Sequence, residues 1–122
     1  MERFGSLVRA REDEPGPSGE KHAPAIEAPD RVSPGERFRV RVVVGREVPH
    51  PNTVEHHIKW IQVFVREEGR PPVHAVTVDL GPVVGEPDAA ITLKLERSAT
   101  IHALAYCNLH GVWESSKRIE VA

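Results

Sequence analysis

The fold is decided by residues 37–44, which read Arg-Phe-Arg-Val-Arg-Val-Val-Val. Basic and apolar side chains alternate over most of this run, and a period of two is typical of a half-buried β-strand. The turn sequence Ser33-Pro34-Gly35-Glu36 comes directly before it, and Gly45 ends it. The side chains predicted to face inwards are Phe38, Val40, Val42 and Val44.

Further apolar runs of strand length follow towards the C-terminus. Glycine and proline separate them, and no stretch shows helical periodicity. The predicted strands cover residues 57–65, 73–80, 91–96, 100–106 and 117–121. About six or seven short strands joined by turns predict an all-β sandwich.

The run from His57 to Val65 is apolar on both faces. Strict alternation places Ile58, Trp60 and Phe64 on one face and Ile61, Val63 and Val65 on the other. A central place in the sandwich, or an oligomer interface on one face, would explain this pattern.

The composition bounds the class of protein. A chain of 122 residues is long enough for one domain with its own core. Its 16 Lys and Arg residues nearly balance 18 Asp and Glu residues, and this argues against a nucleic-acid partner. No apolar run approaches the ~20 residues that cross a bilayer, and the first residues lack the apolar core of a secretory signal. One cysteine cannot form an internal disulfide, so we expect a soluble, cytoplasmic protein without a membrane partner.

The first 19 residues differ from the rest in composition. Residues 9–19 are polar and carry two prolines and two glycines, which is typical of a loosely ordered segment. The charged run from Arg11 to Glu14 is interpreted as a solvated face. We therefore predict an N-terminal segment over residues 1–19 and a functional domain over residues 20–122.

The chemistry is concentrated near the C-terminus, where the only cysteine, Cys107, precedes His110 by three residues. A tight turn would bring their thiolate and imidazole into one space, and Gly111 permits such a turn because it has no Cβ. A Cys-x-x-His alone is a weak signal. Two other histidine-bearing stretches make a metal site more probable, and they are Glu20-Lys21-His22 and residues 50–57.

The candidate ligands are four imidazoles and one thiolate. They are Cys107, His110, His50, His22 and one of the pair His56 and His57. Successive strand residues face opposite ways, so both members of the pair would not reach one ion, and the pattern leaves the choice open. The histidines His74 and His102 lie inside predicted strands and are interpreted as ordinary strand residues. Structural zinc takes four ligands, whereas five donors with one open position favour iron.

Three motifs together resemble the superoxide reductases. They are Glu20-Lys21-His22, residues 50–58 (His-Pro-Asn-Thr-Val-Glu-His-His-Ile) and residues 107–113 (Cys-Asn-Leu-His-Gly-Val-Trp). The similarity is to the short, neelaredoxin-like form, which shares its iron domain with desulfoferrodoxin, and it covers nearly all of the chain from Gly19. The additional rubredoxin-like domain of desulfoferrodoxin needs four cysteines, so only the catalytic domain is expected here.

The resemblance implies an immunoglobulin-like β-sandwich of about seven strands with one mononuclear non-haem iron per chain. At matching positions it implies His22, His50, His56 and His110 as equatorial ligands and Cys107 as the axial ligand. It thereby selects His56, and His57 is left with a structural role. Glu20 is implied as a sixth ligand of the oxidised iron, and Lys21 as the residue on the same loop that attracts the anion.

The implied reaction is the one-electron reduction of superoxide, with two protons, to hydrogen peroxide. A rubredoxin-like electron donor would restore the iron, and the short forms of the family suggest a homo-oligomer, a homotetramer by resemblance. Two other functions are weighed against this one. A blue-copper carrier usually has an axial methionine, and the only methionine here is Met1. A non-catalytic sandwich module, with zinc or without metal, would leave the histidine stretches as coincidence.

Overall fold

A computed structural model describes residues 8–14 and 16–122, without the side chain of Glu20. The chain forms nine strands and one short α-helix within these ranges, with a 3₁₀ turn at Arg11–Asp13. The elements are β1 (Arg9–Ala10), α1 (Pro17–His22), β2 (Pro24–Glu27), β3 (Arg31–Val32), β4 (Arg37–Val44), β5 (Ile58–Glu67), β6 (Val73–Asp79), β7 (Asp88–Lys94), β8 (Ala99–Cys107) and β9 (Gly111–Val121).

Two sheets make up the sandwich. The larger has the strand order β1-β9-β8-β5-β6, with β3 also pairing with β9, and the smaller has the order β2-β4-β7. Pairing is antiparallel except where the two short strands β1 and β3 join β9. One cluster of buried side chains draws on both sheets, including Val40 and Val42 from the smaller and Ile61 and Ile101 from the larger. The predicted all-β sandwich is confirmed.

The strand that decides the fold is observed at its predicted bounds. Phe38, Val40, Val42 and Val44 are all buried, as the alternation indicates. Val43 is buried as well, and it lies between Ala25 and Asp88 of the neighbouring strands. Arg37 and Arg39, which also face outwards, are exposed, so the strand is half-buried as predicted.

The predicted faces of β5 are wrong at one residue. Ile58 is buried in the core with Ile61 and Val63, and not on the outer face with Trp60. The register against β8 shifts between Ile58 and Trp60, and such an irregularity reverses the alternation on one side of it. The correction matters because Ile58 lies opposite Cys107.

The loose segment predicted for residues 9–19 has defined structure where it is described. β1 pairs in parallel with β9, Ala10 is fully buried, and α1 begins at Pro17. This order comes from pairing with β9, which is distant in sequence, and the local content of proline and glycine does not indicate it. Residues 1–7 and Pro15 lie outside the described residues, and the domain boundary at Glu20 stays a prediction.

None of the helices in the described ranges has the length and apolar character needed to cross a bilayer.

Candidate metal centre

The predicted ligands meet at one end of the sandwich. His22 is the last residue of α1, and His50 and His56 lie in the connection from β4 to β5. Cys107 ends β8, and His110 lies in the turn before β9. Because β5 begins where β8 ends, and β9 begins beside it, antiparallel pairing brings these connections together.

Four imidazoles form a closed ring at this end. Going round it, the centroids of His22 and His50 lie 5.0 Å apart and those of His50 and His56 4.7 Å apart. Those of His56 and His110 lie 5.0 Å apart, and those of His110 and His22 close the ring at 4.8 Å. Each neighbouring pair meets edge to face, so the ring surrounds a common centre without stacking.

The thiol of Cys107 lies against this ring. Its Sγ is 3.6 Å from Nδ1 of His110, and the cysteine is fully buried. The donor atoms of His22, His56, Cys107 and His110 all lie within 4.8 Å of one another. Four such donors converging from three parts of the chain are a group that can hold a metal ion. His50 is not one of these four, and its ring contacts those of His22 and His56.

Backbone carbonyls fix the orientation of two of the rings. Nδ1 of His22 donates to the carbonyl of Ser18 at 2.7 Å, and Nδ1 of His50 donates to the carbonyl of Pro51 at 2.7 Å. A carbonyl only accepts, so the proton sits on Nδ1 and the lone pair is on Nε2. A second partner of this kind is what metal-ligating histidines use to set tautomer and orientation.

Two imidazole nitrogens are unaccounted for by the protein. Nε2 of His50 and Nε2 of His56 are buried, and no hydrogen-bond partner lies within the described part of the chain. Leaving a buried polar atom without a partner costs about 1–3 kcal/mol. A metal ion among the imidazoles would satisfy both atoms, so the residues fit a metal centre.

The two adjacent histidines have different surroundings. The His56 side chain is one of the four imidazoles that meet edge to face. Nδ1 of His57 instead donates to the carbonyl of Thr53 at 3.0 Å. The backbone N–H of His57 donates to Oδ1 of Asn108 at 2.9 Å. The structure thus brings His56 to the centre and gives His57 partners in the loop.

Three residues that support the site were not singled out from sequence. Asn108 accepts from the His57 amide and donates to the carbonyl of Glu55 at 2.9 Å, which ties the cysteine turn to the histidine loop. The hydroxyl of Thr53 accepts from the His56 amide at 3.0 Å. Nδ2 of Asn52 donates to the carbonyl of Val83 at 3.1 Å, and the backbone N–H of Val83 donates to Oδ1 of Asn52 at 2.7 Å. This pair of bonds anchors the loop after β6. The sequence signal that could have identified them is the presence of Asn and Thr next to the histidines, because their side chains hydrogen-bond to nearby backbone groups.

Trp113 contacts two of the histidines. Its ring stacks on His22 with centroids 4.9 Å apart and an interplanar angle of 16°, and its Nε1 donates to the carbonyl of His110 at 3.2 Å. The φ angle of Gly111 is +86°, which lets the turn bring His110 back over Trp113. Trp113 is buried and provides a rigid wall on this side of the centre.

Lys21 lies beside the centre, on an open cleft of about 410 Å³ that His22, His110, Arg9 and Trp113 also line. Burial is the largest cause that lowers the pKa of His22, His50 and His56, and the positive charge of Lys21 adds to it. Glu20 is part of α1, but its side chain lies outside what the structure describes.

Burial is the largest cause that lowers the pKa of three imidazoles of the ring. It lowers the pKa of His22 and of His56, and it lowers the pKa of His50 to about 4. These rings are therefore neutral near pH 7, and a neutral imidazole has the lone pair that a metal needs.

The other two histidines lie elsewhere. His74 is on β6, where its Nε2 hydrogen-bonds the hydroxyl of Thr77 at 2.7 Å. His102 lies in the middle of β8, and burial lowers its pKa.

The model of the family described as desulfoferrodoxin matches residues 15–116. The chain belongs to the desulfoferrodoxin family. The matched range contains all five predicted ligands together with Glu20 and Lys21.

Relatives within the desulfoferrodoxin family identify the form. A superoxide reductase of Pyrococcus furiosus is 40% identical over 116 residues, covering 84% of this chain and 90% of the relative. A neelaredoxin of Megalodesulfovibrio gigas is 37% identical over 113 residues, covering 82% and 87%. The solved structure of a superoxide reductase (neelaredoxin) from Ignicoccus hospitalis has a TM-score of 0.88 at 44% identity, covering 99% of this chain and all of that chain. The chain is thus of the short, neelaredoxin-like form of the family.

Proposed function

We propose that this protein is a superoxide reductase, an oxidoreductase that reduces superoxide with one electron and two protons to hydrogen peroxide. The observation that carries the proposal is the closed ring of four imidazoles with Cys107 against it, in a desulfoferrodoxin-family chain. The activity is the one that the family relatives bear in their names.

The proposed cofactor is one iron ion per chain. Its ligands would be His22, His50, His56 and His110 with Cys107, a set of five that suits a six-coordinate redox metal better than tetrahedral zinc. Bound iron would supply the single electron and one open coordination position. The closed ring of imidazoles, with His22 and His50 buried, and the fully buried thiol support this set.

Lys21 has the proposed role of attracting the substrate. Superoxide is a small anion, and a cation on the cleft that leads to His22 and His110 raises its local concentration and association rate. The cleft is open, so an anion reaches the edge of the imidazole ring from solvent. Glu20, on the same helix, is proposed as the sixth ligand once the iron is oxidised.

A rubredoxin-like protein is the proposed electron donor, and exposed apolar side chains support a docking place for it. Val54 lies between His50 and His56, and Leu109 lies between Cys107 and His110. Asn52, in the loop that also carries Val54, hydrogen-bonds the backbone of Val83, which precedes Val84. These four side chains are between 53% and 90% exposed, and exposed apolar patches mark interaction sites. A functional domain over residues 20–122, a homotetramer and a cytoplasmic location complete the proposal.

The proposal is tested by metal analysis, visible spectra and pulse radiolysis on the purified protein. We expect about one iron per chain, a visible band that appears on mild oxidation, and a fast reaction of the reduced protein with superoxide. The exposed His74 offers a matched control, because His74→Ala removes an imidazole outside the ring and should change none of these. Intense blue colour with copper would support an electron carrier, and zinc without colour would support a non-catalytic module.

Docking of the donor has its own test. Val84→Ser should slow re-reduction by reduced rubredoxin and leave the reaction with superoxide unchanged. Val73→Ser, which alters an exposed valine on β6, is the control. Equal re-reduction rates in the two variants and the parent would contradict the docking surface.

A further inference from the structure

Glu14 has two partners although it lies in a highly charged run. Its Oε1 accepts from Nη1 of Arg9 at 3.1 Å, and its Oε2 accepts from the hydroxyl of Ser18 at 2.5 Å. The carboxylate therefore joins β1, through Arg9, to the first turn of α1, through Ser18. This bridge was missed in the sequence, where the run from Arg11 to Glu14 resembles a solvated face.

Ser18 carries the connection on to the metal centre. Its hydroxyl donates to Glu14, and its carbonyl accepts from Nδ1 of His22 at 2.7 Å. A single residue thus separates the Glu14 carboxylate from the imidazole that it would orient. The hydrogen bond to Nδ1 is the one that leaves Nε2 of His22 with its lone pair.

Close packing of α1 supports the same connection independently. A Cβ added at Gly19 would lie 2.0 Å from the carbonyl oxygen of Glu14 and 2.8 Å from that of Arg11. Both obstacles are backbone atoms, so only glycine fits where α1 lies against the turn that precedes it. The helix carrying His22 therefore rests directly on residues 11–14.

Arg9 is also linked to His22 through Trp113. Its guanidinium carbon lies 6.0 Å from the centroid of the Trp113 ring, and Trp113 stacks on His22. Glu14 holds Arg9 in an ion pair at 3.1 Å, so one carboxylate fixes both the helix and the cation over the tryptophan.

We propose that Glu14 is a positioning residue for the metal centre, acting through Ser18 on His22. It sets the tautomer and position of His22 and, by holding α1, the place of Lys21 on the cleft. The inference rests on the proposed metal site and adds to it a contact outside the ligands. Removing a partner of this kind typically weakens metal binding 10- to 100-fold.

The test compares Glu14→Ala and Ser18→Ala with Glu12→Ala, which removes an exposed carboxylate from the same run. Affinity for cobalt(II) is measured by competition with a chelator, and the visible spectrum of the cobalt-loaded protein is recorded. We expect about tenfold weaker cobalt binding and a shifted spectrum for Glu14→Ala and Ser18→Ala, with Glu12→Ala like the parent. The double variant should lose no more than Glu14→Ala alone, because both act through one contact.

Cobalt affinity and spectrum in Glu14→Ala equal to those of Glu12→Ala would overturn the inference. Ser18→Ala keeps the backbone carbonyl that accepts from His22 and the ion pair between Arg9 and Glu14. It is therefore the deciding variant if Glu14→Ala does not fold. In that case unchanged cobalt binding in Ser18→Ala overturns the inference. Cobalt binding does not depend on superoxide, so a negative result here leaves the proposed activity standing, and an inactive protein leaves this test intact.

Discussion

Nε2 of His22 lies 3.1 Å from Nδ1 of His110, although 88 residues separate the two histidines in the chain. His22 arrives at the end of α1, and His110 arrives through the turn between β8 and β9. Nε2 of His22 has a lone pair because Nδ1 of the same ring donates to the Ser18 carbonyl, and Nδ1 of His110 lies within hydrogen-bonding distance of that lone pair. Because folding brings these two imidazoles together, we expect metal binding to be coupled to folding at this end of the sandwich.

Replacing the thiol should remove the visible signature of the centre. In Cys107→Ser we expect loss of the charge-transfer band and of superoxide reduction, because a hydroxyl does not replace a thiolate as an electron-rich ligand. The sandwich should still fold, since serine is close to cysteine in size, and circular dichroism checks this. A variant that keeps the band would contradict Cys107 as a ligand.

The two adjacent histidines should separate in their effects. His56→Ala should lose iron or activity, because the His56 side chain is one of the four imidazoles that meet at the proposed metal centre. His57→Ala removes a hydrogen bond to the Thr53 carbonyl and should keep iron, at a stability cost of about 0.5–1.5 kcal/mol. Iron content and urea unfolding measure both effects, and the reverse result would mean that the ligand lies one position later.

Lys21 should act on the rate and not on the resting spectrum. In Lys21→Ala the reaction with superoxide should slow and depend less on ionic strength, because salt screens charges over about 8–10 Å. Glu20→Ala should instead shift the spectrum of the oxidised protein and admit azide, with little change in the first encounter. Pulse radiolysis across a salt series compares them. Rates for Lys21→Ala that match the parent at every salt concentration would rule out attraction by this lysine.

The metal-free protein should lose stability in acid. Burial holds the pKa of folded His50 at about 4, below the value of about 6.5 in an unfolded chain, so the unfolded state binds more protons between these values. The contribution of His50 to the free energy of unfolding is therefore complete above pH 6.5 and lost as the pH falls towards 4. The slope that His50 alone contributes is up to about 1.4 kcal/mol per pH unit.

Urea unfolding of the metal-free protein between pH 7 and pH 5 measures this slope. His50→Gln should flatten it, because glutamine does not titrate in this range. His74→Ala, a change of an exposed histidine on β6, is the control and should leave the slope as in the parent. A parent protein whose stability is constant from pH 7 to pH 5 would contradict burial of neutral imidazoles.

The sequence by itself determined the alternation of β4 and supplied the candidate donors. The alternation over residues 37–44 is a local property, because successive strand side chains point to opposite faces whatever the rest of the chain does. The types of donor are equally local, since a thiol and imidazoles have their affinities for metals wherever they lie. Family motifs added the choice of His56 over His57, which periodicity left open.

Only the tertiary structure decided which of these groups come together and what holds them. Ile58 turned inwards because β5 shifts its register against β8, and that shift depends on a strand about 50 residues later. The contacts of Asn108, Trp113 and Glu14 are with residues of other parts of the chain, among them Glu55, His22 and Arg9. Local pattern does not encode these contacts, because they exist only once the antiparallel pairing of β5, β8 and β9 has brought distant turns to one end of the sandwich.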